Sequence, residues 1–173
     1  MNTQSKKRRP SSALLLLTSA ALSLGITSAN AAKQITGEVV GVSDGDTVTI
    51  LSDGDQIKVR LAEIDAPEKA QAFGTRSKQS LSDMCFRKNA KIETSGKDRY
   101  GRFIGRIYCF TPGVKTGIDA NAEQIRRGMA WVFDRYVTDR DLYRIQDDAR
   151  DARRGLWADQ SPTPPWEWRK ANR

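Results

Sequence analysis

The sequence predicts an α+β fold organised around a curled β-meander. Three observations lead to it. Three β-rich runs, Ile35–Val42, Thr47–Leu51 and Gln56–Ile64, fall within thirty residues and are joined by short turns. Two more, Ala90–Thr94 and Phe103–Phe110, flank a charged loop from Ser95 to Arg102. Helical patterns follow the third and the fifth of these strands, and the clearest helix, Thr138–Arg154, comes near the end of the chain.

Before the first strand, residues 1–31 read as a secretory signal peptide. Lys6-Lys7-Arg8-Arg9 is a positive n-region, Ala13–Ile26 a short apolar h-region, and Ala29-Asn30-Ala31 a small-x-small cleavage site. The apolar run is too short to favour a transmembrane helix. Cleavage after Ala31 removes four basic and no acidic residues, lowering the net charge from +8 to +4. The mature domain, residues 32–160 plus a Pro/Trp-rich tail from 161 to 173, is then mildly basic. That balance permits a polyanionic partner without demanding one. The expected location is outside the cytoplasm, in the periplasm or the medium, with no stable membrane association after cleavage.

Within the domain, Ser52-Asp53-Gly54-Asp55 signals a hairpin, because Asp-Gly accepts the positive φ of a primed turn. Pro67 ends the sheet. Thr75–Arg87 reads as a helix with Thr75 as N-cap and Leu81, Met84 and Cys85 on one face. Ile118–Arg127 reads as a short helix, and Met129–Phe133 as an apolar segment of open type. In Thr138–Arg154, Thr138 and Asp141 form a weak capping box. Leu142, Ile145, Ala149 and Ala152 form the stripe, and Gly155 suits the C′ position.

Composition narrows the chemistry. The chain has no histidine. Ser-His-Asp and Cys-His triads and His-ligated zinc are therefore excluded, and acid/base work falls to carboxylates, Lys, Arg or Tyr. The two cysteines, Cys85 and Cys109, make an even count in an exported protein, which favours a disulfide over two buried thiols.

Three motifs carry the functional reading. Asp44-Gly45-Asp46-Thr47 alone is a common turn, and Val48 and Thr49 exclude an EF-hand loop starting at Asp44. Arg60-Leu61-Ala62-Glu63-Ile64-Asp65-Ala66-Pro67-Glu68 alone could be a solvated strand end. In a continuous strand it puts Arg60, Ala62 and Ile64 on one face and Leu61, Glu63 and Asp65 on the other. Asp98-Arg99-Tyr100-Gly101-Arg102 alone could be a charged loop. Together they supply clustered carboxylates, which suit a hard divalent cation, and two guanidinium groups, which clamp phosphate through paired N–H donors.

In order and approximate spacing these motifs resemble the staphylococcal nuclease (thermonuclease) family, from about Thr36 to Trp157. Gly128-Met129-Ala130-Trp131 and Gly155-Leu156-Trp157 look like family segments, and Pro164-Pro165-Trp166-Glu167-Trp168-Arg169 resembles Gram-negative members. The resemblance implies a five-stranded OB-type β-barrel with about three α-helices. It implies one Ca²⁺ held by Asp46, Asp65 and the main-chain carbonyl of Ala66, where threonine is usual, with Asp44 nearby. It implies Glu68 as general base and Arg60 and Arg102 as phosphate-binding groups. Arg99 stands where the type member has a lysine, and Tyr136 resembles one of its nucleotide-site tyrosines. Asp134 departs from the pattern at the other tyrosine. The implied activity is a monomeric, calcium-dependent nuclease acting on DNA and RNA and leaving 3′-phosphates. Two rival classes are a non-catalytic OB-type nucleic-acid-binding module and a glycosidase with paired carboxylates. Retention of all five charged motif residues disfavours the first, and the arginines disfavour the second.

Overall fold

A computed structural model describes residues 1–2 and 33–173. The expected signal peptide, apart from its first two residues, lies outside the described residues. Strands β1 (Lys33–Val42), β2 (Thr47–Ser52) and β3 (Asp55–Leu61) form the meander. They pair antiparallel in the register Val39↔Ile50 and Val48↔Val59. The β2–β3 turn has Asp53 at φ 51° and Gly54 at φ 89°, the two positive values that a primed turn requires. A two-residue strand, β4 (Ile64–Asp65), follows, then α1 (Gly74–Cys85), β5 (Asn89–Lys97) and β6 (Phe103–Phe110). After β7 (Ile118–Asp119) come α2 (Ala120–Arg126), β8 (Trp131–Val132) and α3 (Asp141–Asp151). A 3₁₀ turn (Gly155–Ala158) and α4 (Pro165–Ala171) complete the chain.

The large sheet runs in the order β3-β2-β1-β5-β6-β7, and β3 also pairs with β6. That last pairing is parallel, with Val59↔Phe103, Arg60↔Ile104 and Leu61↔Gly105. It closes β1, β2, β3, β5 and β6 into a five-stranded barrel of OB type. Val39, Val48, Ile50, Val59, Leu61, Ile92 and Ile107 fill its interior, and α1 contributes Leu81 and Met84, α2 Ile125 and α3 Leu142. Each large aliphatic side chain fully removed from water contributes roughly 1.5–3 kcal/mol. None of the helices among the described residues is long and apolar enough to cross a membrane.

Several local expectations are corrected. Helix α1 starts one residue before Thr75, and its N-cap is Phe73 in the left-handed region, with no side-chain cap. The expected second helix loses its first two residues to β7, because Asp119 caps α2 by accepting from the Ala122 N–H. Helix α3 begins at Asp141, so Asp141 opens the helix and no capping box with Thr138 forms. Thr138 is occupied elsewhere, donating to the Glu63 carboxylate through its main chain. The residue that follows the α3 C-cap is Arg153, left-handed at φ 51°, while Gly155, also left-handed at φ 54°, opens the 3₁₀ turn. The tail adds a fourth helix to the three expected, starting at Pro165 in its first turn.

Cys85, at the end of α1, and Cys109, on β6, are bonded, with Cα atoms 5.2 Å apart. The bond closes a loop of sequence separation 24, worth roughly 3.5 kcal/mol in the chain-entropy treatment. Both sulfurs are buried. No thiol is therefore expected to react before denaturation and reduction. Reduction should lower Tm by roughly 7–14 °C for a domain of this size, with a smaller effect on activity at moderate temperature. Calorimetry with and without reductant, and mass spectrometry of a non-reduced digest, check both. Two separately alkylated cysteine peptides would contradict the bond.

Candidate active site

The site is built where the β1–β2 corner meets the segment leaving β3. Gly45 sits at that corner because nothing larger fits: a Cβ there would lie 1.8 Å from the Ser77 Oγ. Its carbonyl accepts from Gln124 Nε2 at 2.7 Å, and Ser77 donates to the Met129 carbonyl at 2.6 Å. The corner is thus pinned to α1 and α2. Asp44 accepts from the Asp46 N–H at 3.1 Å. The buried Asp46 carboxylate accepts from Thr47 Oγ1 at 3.0 Å, the Ala66 N–H at 3.1 Å and Arg60 Nη2 at 3.1 Å.

Arg60 and Asp65, expected on opposite strand faces, are brought together: Arg60 Nη2 lies 2.9 Å from Asp65 Oδ1. Strand β3 stops at Leu61, and a turn at Ala62-Glu63 resets the alternation. Glu63 is left-handed there, at φ 66°. Its carbonyl accepts from the Phe133 N–H, and its carboxylate from the main chain of Thr138 and Asp139. Those contacts hold a conformation that a non-glycine residue rarely adopts. Strand β4 then pairs with β8 rather than with the barrel, with Asp65 opposite Trp131.

One guanidinium nitrogen of Arg60 therefore sits between the Asp46 and Asp65 carboxylates. Burial pushes the Asp65 carboxyl up, against the opposing pull of Arg169 and Arg60. Asp44 is pushed up to about 6, by burial first and by the Asp46 charge next. Among the described residues, no three Asp, Glu, His or Cys side chains form a metal cluster. A cation here would need two carboxylates, the Ala66 carbonyl and water. These are all hard oxygen donors suited to Ca²⁺, and the position of Arg60 Nη2 shows that the pair of carboxylates accommodates positive charge.

Glu68 follows Pro67 on a loop, half-exposed to the groove. Its N–H donates to Gln71 Oε1 at 3.2 Å, and its carboxylate accepts from Arg169 Nη1 at 2.8 Å. Arg102 enters β6 after a loop organised by Asp98, which accepts from the Tyr100 and Arg102 N–H groups and from Arg102 Nε at 2.8 Å. Arg102 Nη1 also reaches Thr47 Oγ1 at 3.4 Å. Thr47, the cross-strand partner of Arg60, thus lies between the two arginines.

A single groove of about 900 Å³ is lined by Asp44, Asp46, Asp65, Ala66, Glu68, Arg60, Arg99, Arg102 and Tyr136, every site residue expected from the motifs. Arg99 is on the rim, bonded to the Tyr100 hydroxyl at 2.6 Å rather than to the carboxylates. Tyr136 is also peripheral, exposed and edge-on to Phe133 at 5.2 Å. Phe133, Arg135 and Arg169 line the groove as well and were not anticipated. Only the Pro-Trp-Glu-Trp-Arg run of the tail hinted that its end is ordered.

A model of the family described as "Staphylococcal nuclease homologue" matches residues 58–159. A protein of Haemophilus influenzae named "Uncharacterized endonuclease" is 43% identical over 157 residues, 90% of this chain and 85% of that protein. "Micrococcal nuclease" of Shigella flexneri is 43% identical over 142 residues, 79% of this chain and 82% of that protein. "Protein ParB" of Escherichia coli is 38% identical over 169 residues, covering 95% and 94%.

Proposed function

The chain belongs to the staphylococcal nuclease family, and from that premise we propose that it is an exported, calcium-dependent nuclease that cleaves DNA and RNA with little sequence preference, leaving 3′-phosphates. Hydrolysis of nucleic acid is the activity of the family. The observation that supports the finer reading is the convergence of paired carboxylates, a half-exposed glutamate and two arginines on one groove.

Asp46, Asp65 and the Ala66 carbonyl would hold Ca²⁺. Bound there, the ion would supply Lewis-acid polarisation of the scissile phosphate. Glu68 would orient a water and take its proton. The water oxygen forms the new bond to phosphorus, the bond from phosphorus to the 5′ oxygen breaks, and that oxygen takes a proton from solvent. Arg60 and Arg102 would stabilise the charge that accumulates on the equatorial oxygens, because donors fixed in advance need no reorganisation as charge develops. Arg102 is given this role rather than proton donation, since a guanidinium is a poor acid. Tyr136 and Arg99, on the rim, would meet flanking bases and phosphates.

The proposed mature enzyme is a monomer released by cleavage after Ala31. A gel assay on single- and double-stranded DNA and RNA, with Ca²⁺, Mg²⁺ or chelator, tests the reading. The expected outcome is degradation of all four substrates with Ca²⁺ and none with chelator. Binding without cleavage under every condition would instead make the protein a non-catalytic binding module.

A further inference from the structure

The last helix reaches the centre of the groove. Arg169 Nη2 lies 2.7 Å from Asp65 Oδ2, and Nη1 lies 3.2 Å from Asp65 Oδ1 and 2.8 Å from Glu68 Oε1. One planar guanidinium therefore ties the proposed metal ligand to the proposed base. Its fork geometry fixes direction as well as distance. This is not an incidental surface pair, because Asp65 is 1% exposed.

Helix α4 is docked by three further contacts. Pro165 is buried. The Trp166 ring stacks on Phe133, with centroids 5.8 Å apart and planes at 13°, and stands edge-on to Trp131, the strand partner of Asp65. Gln71 joins the tail to the Glu68 loop: its Nε2 donates to the Thr163 carbonyl at 2.7 Å while its Oε1 accepts from the Glu68 N–H. The tail thus holds Glu68 by its main chain through Gln71 and by its carboxylate through Arg169. No other protein donor among the described residues reaches that carboxylate.

We propose that Arg169 is a positioning residue for hydrolysis, holding the Glu68 carboxylate at a fixed offset from Asp65 so that the attacking water is aligned. This rests on the nuclease reading and on Glu68 as base. The alternative, that Arg169 occupies the cation's place, is disfavoured by its contacts. Arg60 faces the gap between Asp46 and Asp65, whereas Arg169 approaches Asp65 from the Glu68 side and does not touch Asp46. Loss of alignment by about 1 Å costs on the order of 10²-fold in rate.

The test compares full-length wild type, Arg169→Gln and Arg169→Lys on a defined DNA oligonucleotide at saturating Ca²⁺, with calcium affinity measured separately by calorimetry. Arg169→Gln should lower kcat by roughly 10–100-fold, with KM and the calcium Kd each within about threefold of wild type. Arg169→Lys, which keeps the charge and loses the fork, should recover part of kcat. If Arg169→Gln fails to fold, Trp166→Ala carries the test. It leaves the guanidinium in the chain, undocks it, and should lower kcat in the same way. An unchanged kcat, a rise confined to KM, or calcium binding tightened tenfold would each overturn the positioning role. A wild type that cleaves nothing would overturn the nuclease reading and this role with it, whereas an active wild type with an equally active Gln variant removes the positioning role alone.

Discussion

Glu68→Gln is expected to lower kcat by roughly 10²–10⁴, the range lost when a general base is removed, and to leave the fold intact. The carboxylate is half-exposed, and its single protein partner among the described residues is Arg169. The amide is nearly the same size and can still accept from Arg169 Nη1, so packing and helix docking survive. What it loses is the capacity to take a proton. Single-turnover cleavage of a defined oligonucleotide at saturating Ca²⁺, with a thermal melt alongside, separates the two effects. Near-normal turnover would remove Glu68 as the base.

The next largest effect is expected at Asp46, and the structure decides which substitution is informative. Asp46 accepts from Thr47, Arg60 and the Ala66 N–H. Asp46→Ala would leave the buried Ala66 N–H without an acceptor, at a cost of about 1–3 kcal/mol, and would mix instability with metal loss. Asp46→Asn keeps an acceptor and removes the charge. Replacing a group that merely supports a ligand costs 10–100-fold in metal affinity. Replacing the ligand charge itself should weaken calcium binding by at least about 100-fold and abolish calcium-dependent cleavage. Calorimetric titration and a melt in chelator check this. An Asn variant with wild-type calcium affinity would mean that Asp46 is not a ligand.

How much of this was legible in the sequence depended on the range of the interaction that decides each feature. The β2–β3 hairpin was legible because Asp53-Gly54 states its own turn geometry. The motif residues were legible because each motif is a short stretch whose residue types match one chemistry. The Arg60–Asp65 pairing was not, since alternation assumes a continuous strand and Glu63 breaks it under constraints set by Phe133 and Thr138, about seventy residues later. The α3 start failed for the same reason, with Thr138 serving Glu63 instead of its own helix. Arg169 was invisible to any local rule, being 104 residues from Asp65. Its position depends on aromatic packing among Trp131, Phe133 and Trp166, which only the assembled chain provides.

The parallel β3–β6 contact has a kinetic consequence. It joins Val59–Leu61 to Phe103–Gly105, so it must close a long loop before it returns any stabilisation, and such non-local pairings slow the search for the native state. Arg60 lies inside that seam and Arg102 immediately before it. The pair of guanidinium groups is therefore assembled by the event that seals the barrel. In refolding from denaturant, cleavage activity should appear together with barrel closure and later than helical circular dichroism. Cleavage activity is thus expected to read out the end of folding: a chain with every hairpin and helix in place but the seam still open should show none.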